Sequence, residues 1–265
     1  MRGGFAAALS NPMDHMSPTI CIGYDSPHPS AFAVCRHSLR RHMTREFRII
    51  GIELEDARRR KLYTRPTQMR ASDGQLWDEI SGAPMATEFA ISRFLTPFLA
   101  GWGDGWAVFM DCDMLAMTDI TQLWHLLDNR YAVMCTKPSY VHHGDVKMDG
   151  RSQTIYPRKL WSSLMAFNLE HHANSALTLE LINNMPGRDL HRFCWLPDNL
   201  IGELPPAWNW MEGISDAQIS PSIVHFTHGG PWLQSHQDVA FAEEWKREHA
   251  LWVAGDASPW EGMAA

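Results

Sequence analysis

Trp106-Ala-Val-Phe-Met-Asp111-Cys112-Asp113-Met-Leu115 is the stretch whose reading decides the fold. A wholly apolar run with β-branched and aromatic members reads as a buried strand. It ends abruptly in two carboxylates separated by one residue. Side chains at i and i+2 of an extended segment point to the same side, so Asp111 and Asp113 can face one divalent cation, with Cys112 turned into packing. An Asp-x-Asp triplet also arises by chance on solvated loops. This one terminates the most strand-like segment of the chain, where open parallel sheets bind ligands beyond their strands' carboxyl ends.

Outward from that strand, the pattern is α/β. Thr19-Ile-Cys-Ile-Gly23-Tyr24-Asp25 reads as a strand that breaks into Ser26-Pro27-His28-Pro29. A helix follows, with Ser30 as its cap and Phe32, Cys35, Leu39 and Met43 on one face. Phe47 to Leu54 reads as a second strand. A β-α-β opening implies a parallel sheet with a right-handed crossover. Residues 55–85 read as polar and irregular, and Ala86 to Leu99 as a helix interrupted by Pro97 and carrying Arg93.

Beyond the Asp-x-Asp, a helix starts at Asp119 and a strand runs from Tyr131 to Cys135. Residues 137–160 are polar and rich in His, Gly and Asp, too long for a simple connection and suited to facing a substrate. An apolar strand reaches Asn168. Helices are expected over Asn174 to Met185 and Asp189 to Trp195. Ile223-Val-His225-Phe226 is a last short strand, and a helix over Val239 to Val253 closes the pattern.

With 265 residues the chain can bury a large core, and its charged fraction of 20% is that of a globular protein. A net charge of −7 without a long basic run argues against nucleic acid as a partner. Five scattered cysteines, without a Cys-x-x-Cys, read as reduced core residues of a cytoplasmic protein. No stretch is long enough to span a bilayer. Residues 1–17 read as a loose extension before one domain over 18–265.

Gly23-Tyr24-Asp25 after the first strand, Asp111-Cys-Asp113 after a central one, and His225-Phe-Thr-His-Gly-Gly-Pro-Trp232 near the end occur in that order. Together they resemble the nucleotide-diphospho-sugar glycosyltransferases of the GT-A fold. The closest likeness is to the family 8 type, which includes glycogenin and bacterial galactosyltransferases. The resemblance implies a single-domain, Rossmann-like, mixed but mainly parallel sheet flanked by helices. It also implies transfer from a UDP-sugar donor to a glycan or small-molecule acceptor, with retention.

The same resemblance implies the site. Asp111, Asp113 and His225 would hold Mn²⁺ or Mg²⁺; an imidazole among hard oxygen ligands tilts the choice toward Mn²⁺. A cation bridging diphosphate oxygens stabilises the leaving group's charge. Donor contacts would come from Gly23, Tyr24 and Asp25 at the nucleoside, Arg93, the Asp111-Cys112-Asp113 triplet, and Ser162 with Ser163 at the sugar. Asp198 and Asn199 would lie beside the reacting carbon, in a largely apolar segment where an exposed aspartate is unexpected. The family's lysine before Pro-Trp is missing, because Gly230 directly precedes Pro231. Arg158, Lys159 or His228 would replace it, beside the phosphate-approaching glycines Gly229 and Gly230.

Two other classes compete. A nucleotidyltransferase would need a Gly-rich basic loop after the first strand, which Asp25-Ser-Pro-His-Pro29 does not resemble. A catalytically silent carbohydrate-binding module is the other. Trp161, Trp195, Trp208, Trp210 and Trp232 fall in the segments expected around the site, where aromatic rings can pack on sugars, although large core residues account for many of the 12 tryptophans.

Overall fold

The computed structural model describes residues 18–72, 74–138, 158 and 160–255. The expected extension over 1–17, most of the connection over 137–160, and Lys159 therefore lie outside the described residues.

The opening β-α-β unit is β1 (Thr19–Gly23), α1 (Pro29–His42) and β2 (Arg48–Ile52), with the two strands paired in parallel. Pro29, not Ser30, starts α1: His28 occupies the cap position without a side-chain cap bond. A proline at the first turn has its φ preset and lacks only an N–H that would be unpaired there anyway. Phe32, Cys35 and Leu39 are buried, as their spacing predicts.

The stretch expected to be irregular is structured. It holds α2 (Leu54–Arg59) and an antiparallel three-stranded sheet of β3 (Thr67–Met69), β4 (Leu76–Asp78) and β5 (Ala83–Pro84). The helix expected over Ala86 to Leu99 is replaced by a 3₁₀ turn, Ser92–Leu95, running into α3 (Thr96–Ala100). Pro97 again occupies a first turn, so it begins a helix where an interruption was expected.

Then come β6 (Trp106–Met110), β7 (Met114–Ala116), α4 (Thr121–Trp124), β8 (Val133–Cys135) and β9 (Leu164–Asn168). The single helix expected over Asn174 to Met185 is a 3₁₀ turn, His172–Ala176, followed by α5 (Leu179–Asn184). Thr178 caps α5 by accepting from the Leu181 amide. The next helix lies slightly earlier than expected, as α6 (Gly187–His191). The remainder is β10 (Ile201–Glu203), β11 (Trp210–Met211), β12 (Ile223–His225) and α7 (Ala242–Gly255).

Six strands form the central sheet in the order β10-β8-β9-β6-β1-β2. β1 pairs in parallel with β2 and β6, and β8 with β10, whereas β9 runs antiparallel to both its neighbours. The sheet is thus mixed and mainly parallel, with a fully buried β1, β6 and β9 as its spine. A second sheet, β11-β12-β7, stands at the carboxyl end of β6. α7 packs on α1 through Glu248, which accepts from Arg41 and pairs with His37. Among the described residues no helix is long and apolar enough to cross a membrane.

Candidate active site

β6 delivers Asp111 at its carboxyl end, and the chain turns through Cys112 and Asp113 into β7. β7 pairs antiparallel with β12 in a register that sets His225 opposite Met114. The Phe226 amide donates to the Asp113 carbonyl at 2.9 Å. Two residues distant in sequence are thereby stitched side by side. One ligand atom each from Asp111, Asp113 and His225 falls within 4.8 Å of the others, and all three residues are buried.

The protonation of His225 follows from its neighbour. Asn209 Nδ2 donates to Ser163 Oγ at 2.8 Å and to Thr136 Oγ1 at 3.1 Å, so its Oδ1 is the acceptor end. That oxygen lies 2.9 Å from His225 Nδ1, which assigns the ring proton to Nδ1. Nε2 faces Asp113 Oδ1 at 3.3 Å and Asp111 Oδ2 at 3.9 Å. Among the described residues this buried nitrogen has no hydrogen-bond partner. In a neutral ring that nitrogen would aim a lone pair at carboxylate oxygens, which is unfavourable unless a cation lies between them. The donor set of two carboxylates and one imidazole fits Mn²⁺ or Mg²⁺.

Arg93 braces the cluster. Its Nη1 lies 2.9 Å from Asp111 Oδ1 and donates to the Ser162 carbonyl at 2.8 Å, while Nε donates to the Ala90 carbonyl. Its guanidinium sits 5.0 Å from the Phe109 ring centroid and 5.2 Å from that of Phe89. The Asp111 amide donates to the Ser163 carbonyl. Arg93 therefore touches the metal-ligand set directly and offsets part of its negative charge. The Cys112 thiol is raised well above the ordinary value, first by burial and then by the Asp113, Asp25 and Asp111 carboxylates. It is a neutral thiol packed in the hydrophobic core.

A cavity of about 380 Å³ opens on this cluster. Asp111, His225, Arg93, Ser162, Ser163 and His228 line it, together with Ala83 to Thr87 and the α6 residues Gly187, Arg188 and His191. The β3-β4-β5 sheet and α6 were not singled out in the sequence as parts of the site, yet both form its wall. Arg65 ties that sheet to the end of α5: it is paired with Asp78 through two bonds and donates to the Ile182 and Met185 carbonyls. Its only sequence trace is an arginine and an aspartate at the borders of short strands.

The other expected residues fall around this cavity in different ways. Gly23, Tyr24 and Asp25 are buried beside it and not in its lining. The Asp25 carboxylate accepts from the Glu88 amide, and the Glu88 carboxylate accepts from Ser26. A Cβ on Gly23 would stand 2.3 Å from the Phe89 ring, so glycine here serves packing. Gly229 has φ +122°, a conformation suited to glycine. The side chains of His236 and Leu233 crowd it, and Trp232 lies over Gly230. Both glycines thus admit neighbouring side chains closely.

Asp198 corrects an expectation. Its side chain is 81% exposed, at the start of a 3₁₀ turn (Asp198–Leu200) leading into the edge strand β10. Arg158 Nη2 donates to its Oδ1 at 2.7 Å, and that bond holds the Asp198 carboxyl below its usual range. The apolar residues around Asp198, Trp195, Leu196, Leu200 and Ile201, pack in or against the core, and the aspartate itself faces solvent. Neither Asp198, Asn199 nor Arg158 lines the cavity. Arg158 and Lys137 lie over the Trp161 ring, at 4.9 and 5.3 Å from its centroid. Trp208, Trp210 and Trp232 pack in the hydrophobic clusters, and none of the five highlighted tryptophans lines the cavity.

No family model matches the sequence. Protein CDI of Arabidopsis thaliana is 41% identical over 234 residues, which span 86% of this chain and 85% of that protein. Solved structures share the fold at low identity. The bifunctional glycosyltransferase WbbM superposes with a TM-score of 0.57 at 16% identity over 97% of this chain. The match covers 52% of WbbM, so the chain spans about half of that protein. The galactosyltransferase LgtC, solved in complex with donor and acceptor sugar analogs, gives a TM-score of 0.54 at 12% identity. That match covers 93% of this chain and 100% of LgtC. GlyE of Streptococcus pneumoniae TIGR4 gives 0.55 at 13%, over 88% of this chain and 61% of that one. Folded as a GT-A domain, the chain belongs to the family of Protein CDI.

Proposed function

We propose that the protein transfers a glycosyl group from a nucleotide-diphosphate sugar, a UDP-sugar, to a glycan or small-molecule acceptor, with retention. The observation that carries this reading is the convergence of Asp111, Asp113 and His225, two of which, Asp111 and His225, line one cavity. In this proposal those residues hold Mn²⁺ or Mg²⁺. When bound, the cation would neutralise charge developing on the diphosphate leaving group.

The chain's own residues have separable tasks. Arg93 fixes the Asp111 carboxylate and keeps positive charge beside it. Asn209 holds the His225 ring in the tautomer that presents Nε2. Gly23, Tyr24 and Asp25, behind the wall, shape the nucleoside end. Ser162, Ser163 and His228 all line the cavity; in this reading the two serines would meet the glycosyl group and His228 a phosphate. Lys159, outside the described residues, is a second candidate for that role. The glycosyltransferases that share the fold support the reading, LgtC among them, since it binds donor and acceptor analogs.

Calorimetric titration tests it. UDP is expected to bind in the presence of Mn²⁺, to lose affinity with EDTA, and to lose it again in Asp113→Ala and His225→Ala variants that melt normally. UDP binding indifferent to EDTA, or unchanged in Asp113→Ala, overturns the metal-bridge reading.

A further inference from the structure

Ser162 and His191 form a second polar pair in the wall of the same cavity, outside the metal cluster. Ser162 Oγ and His191 Nδ1 are 2.6 Å apart, and both residues are buried. The imidazole ends α6, where the Phe94 ring meets it edge-on at 5.3 Å. Phe94 in turn packs edge-on against Trp195. The ring is therefore wedged between an aromatic neighbour and the serine hydroxyl. Backbone bonds hold the serine equally firmly: its carbonyl accepts from Arg93, whose Nη1 also meets Asp111. The distance from this hydroxyl to the metal-ligand carboxylate is thus set by two short, buried links.

A hydroxyl offers one donor and two acceptor capacities, and the bond to His191 uses one of them. Such a pair can be a mere packing knot. Its place argues for more. The cavity lining mixes small or apolar residues, Ala83, Pro84, Met85, Ala90 and Ile91, with polar ones such as Asp78, Thr87 and Arg188. A cavity that combines apolar surface with convergent polar groups is how proteins orient a small ligand. A glycosyl group is apolar on its C–H faces and polar at its hydroxyls, which matches a wall of this kind.

We propose that Ser162 and His191 read one hydroxyl of the donor's glycosyl group, so that the protein selects a sugar bearing that hydroxyl over its deoxy counterpart. This rests on the nucleotide-sugar reading above. A site that hydrogen-bonds a hydroxyl discriminates strongly against a ligand lacking it, because the site's own polar groups are then left unsatisfied.

The experiment measures affinity with Mn²⁺ for UDP, UDP-glucose, UDP-galactose and UDP-N-acetylglucosamine. Ser162→Ala, His191→Asn and His191→Leu are compared with the unaltered protein. At least one UDP-sugar is expected to bind more tightly than UDP. Ser162→Ala and His191→Leu should each weaken that sugar about tenfold while leaving UDP within about twofold, the scale of one buried hydrogen bond. Asparagine can replace the Nδ1 bond, so His191→Asn should keep the loss within about threefold. Equal weakening of UDP and UDP-sugar in Ser162→Ala makes the pair a structural knot and overturns the inference. So does an unchanged preference in both Ser162→Ala and His191→Leu. UDP binding without any gain from a sugar overturns it as well, while the nucleotide site stands. Absence of Mn²⁺-dependent UDP binding removes the function proposed above, and this inference with it.

Discussion

Asn209 shows how one amide can orient a candidate metal ligand, His225, that it does not replace. It donates to two hydroxyls and accepts from His225, so its orientation is fixed by three partners. Asn209→Leu should fold yet bind Mn²⁺ about 10- to 100-fold more weakly, the scale of losing a ligand-orienting partner. Titration of the variant with Mn²⁺ alone checks this, and an unchanged affinity excludes the orienting role. The signal in the sequence was a single amide between two tryptophans, in a segment otherwise destined for the core. Asp198 teaches the reverse. Its apolar neighbours suggested a sheltered carboxylate, but a three-residue turn before an edge strand leaves it in solvent against Arg158. A carboxylate acting beside the anomeric carbon demands a loss of roughly a hundredfold in donor hydrolysis when Asp198→Asn removes its charge. From its exposure we expect a change within about threefold, and a hundredfold loss would return it to the catalytic machinery.

At the scale of elements, the long apolar strands were legible and the short ones were not. β1 and β6 are five-residue runs buried end to end; β6 is apolar throughout, and β1 carries only Thr19 as a polar residue. β9 is equally apolar, but nothing in Leu-Met-Ala-Phe-Asn encodes its antiparallel direction, which its neighbours impose. β3, β4 and β5 hold two or three residues each, too few for alternation to appear. What makes them a wall is the Arg65–Asp78 pair, whose side chains are essentially inaccessible to solvent. Breaking one side of such a pair strands a buried charge and is worth about 3–5 kcal/mol. Asp78→Ala should therefore lower stability by that amount in denaturant titration. A volume-matched Arg65→Met with Asp78→Leu should recover much of it, and equal losses in the single and double variants would mean the pair does not matter.

For the whole molecule, the buried thiols set an alkaline limit. Burial pushes Cys21 and Cys135 up to about 12. The unfolded chain's thiols ionise near 9, so between about pH 9 and 12 the folded state holds more protons than the unfolded one. Stability is then full below about pH 8 and falls as pH rises through that window, by at most about 1.4 kcal/mol per pH unit for each thiol. Melting temperatures from pH 7 to 10.5 check the direction, and a flat or rising profile contradicts it. Cys21→Ala and Cys135→Ala should each make the decline shallower.

The pairing of β7 with β12 has one further consequence. It joins residues 113 and 225 across a long intervening chain through strands of only three residues each, a seam that can open locally. An ion shared by Asp113 and His225 would act as a clasp across that seam. Amide hydrogen exchange should therefore slow at Met114–Ala116 and Ile223–His225 when Mn²⁺ is added, with no change in β2 on the far edge of the central sheet. The clasp would then be felt first in how long the seam stays shut, before any sugar arrives.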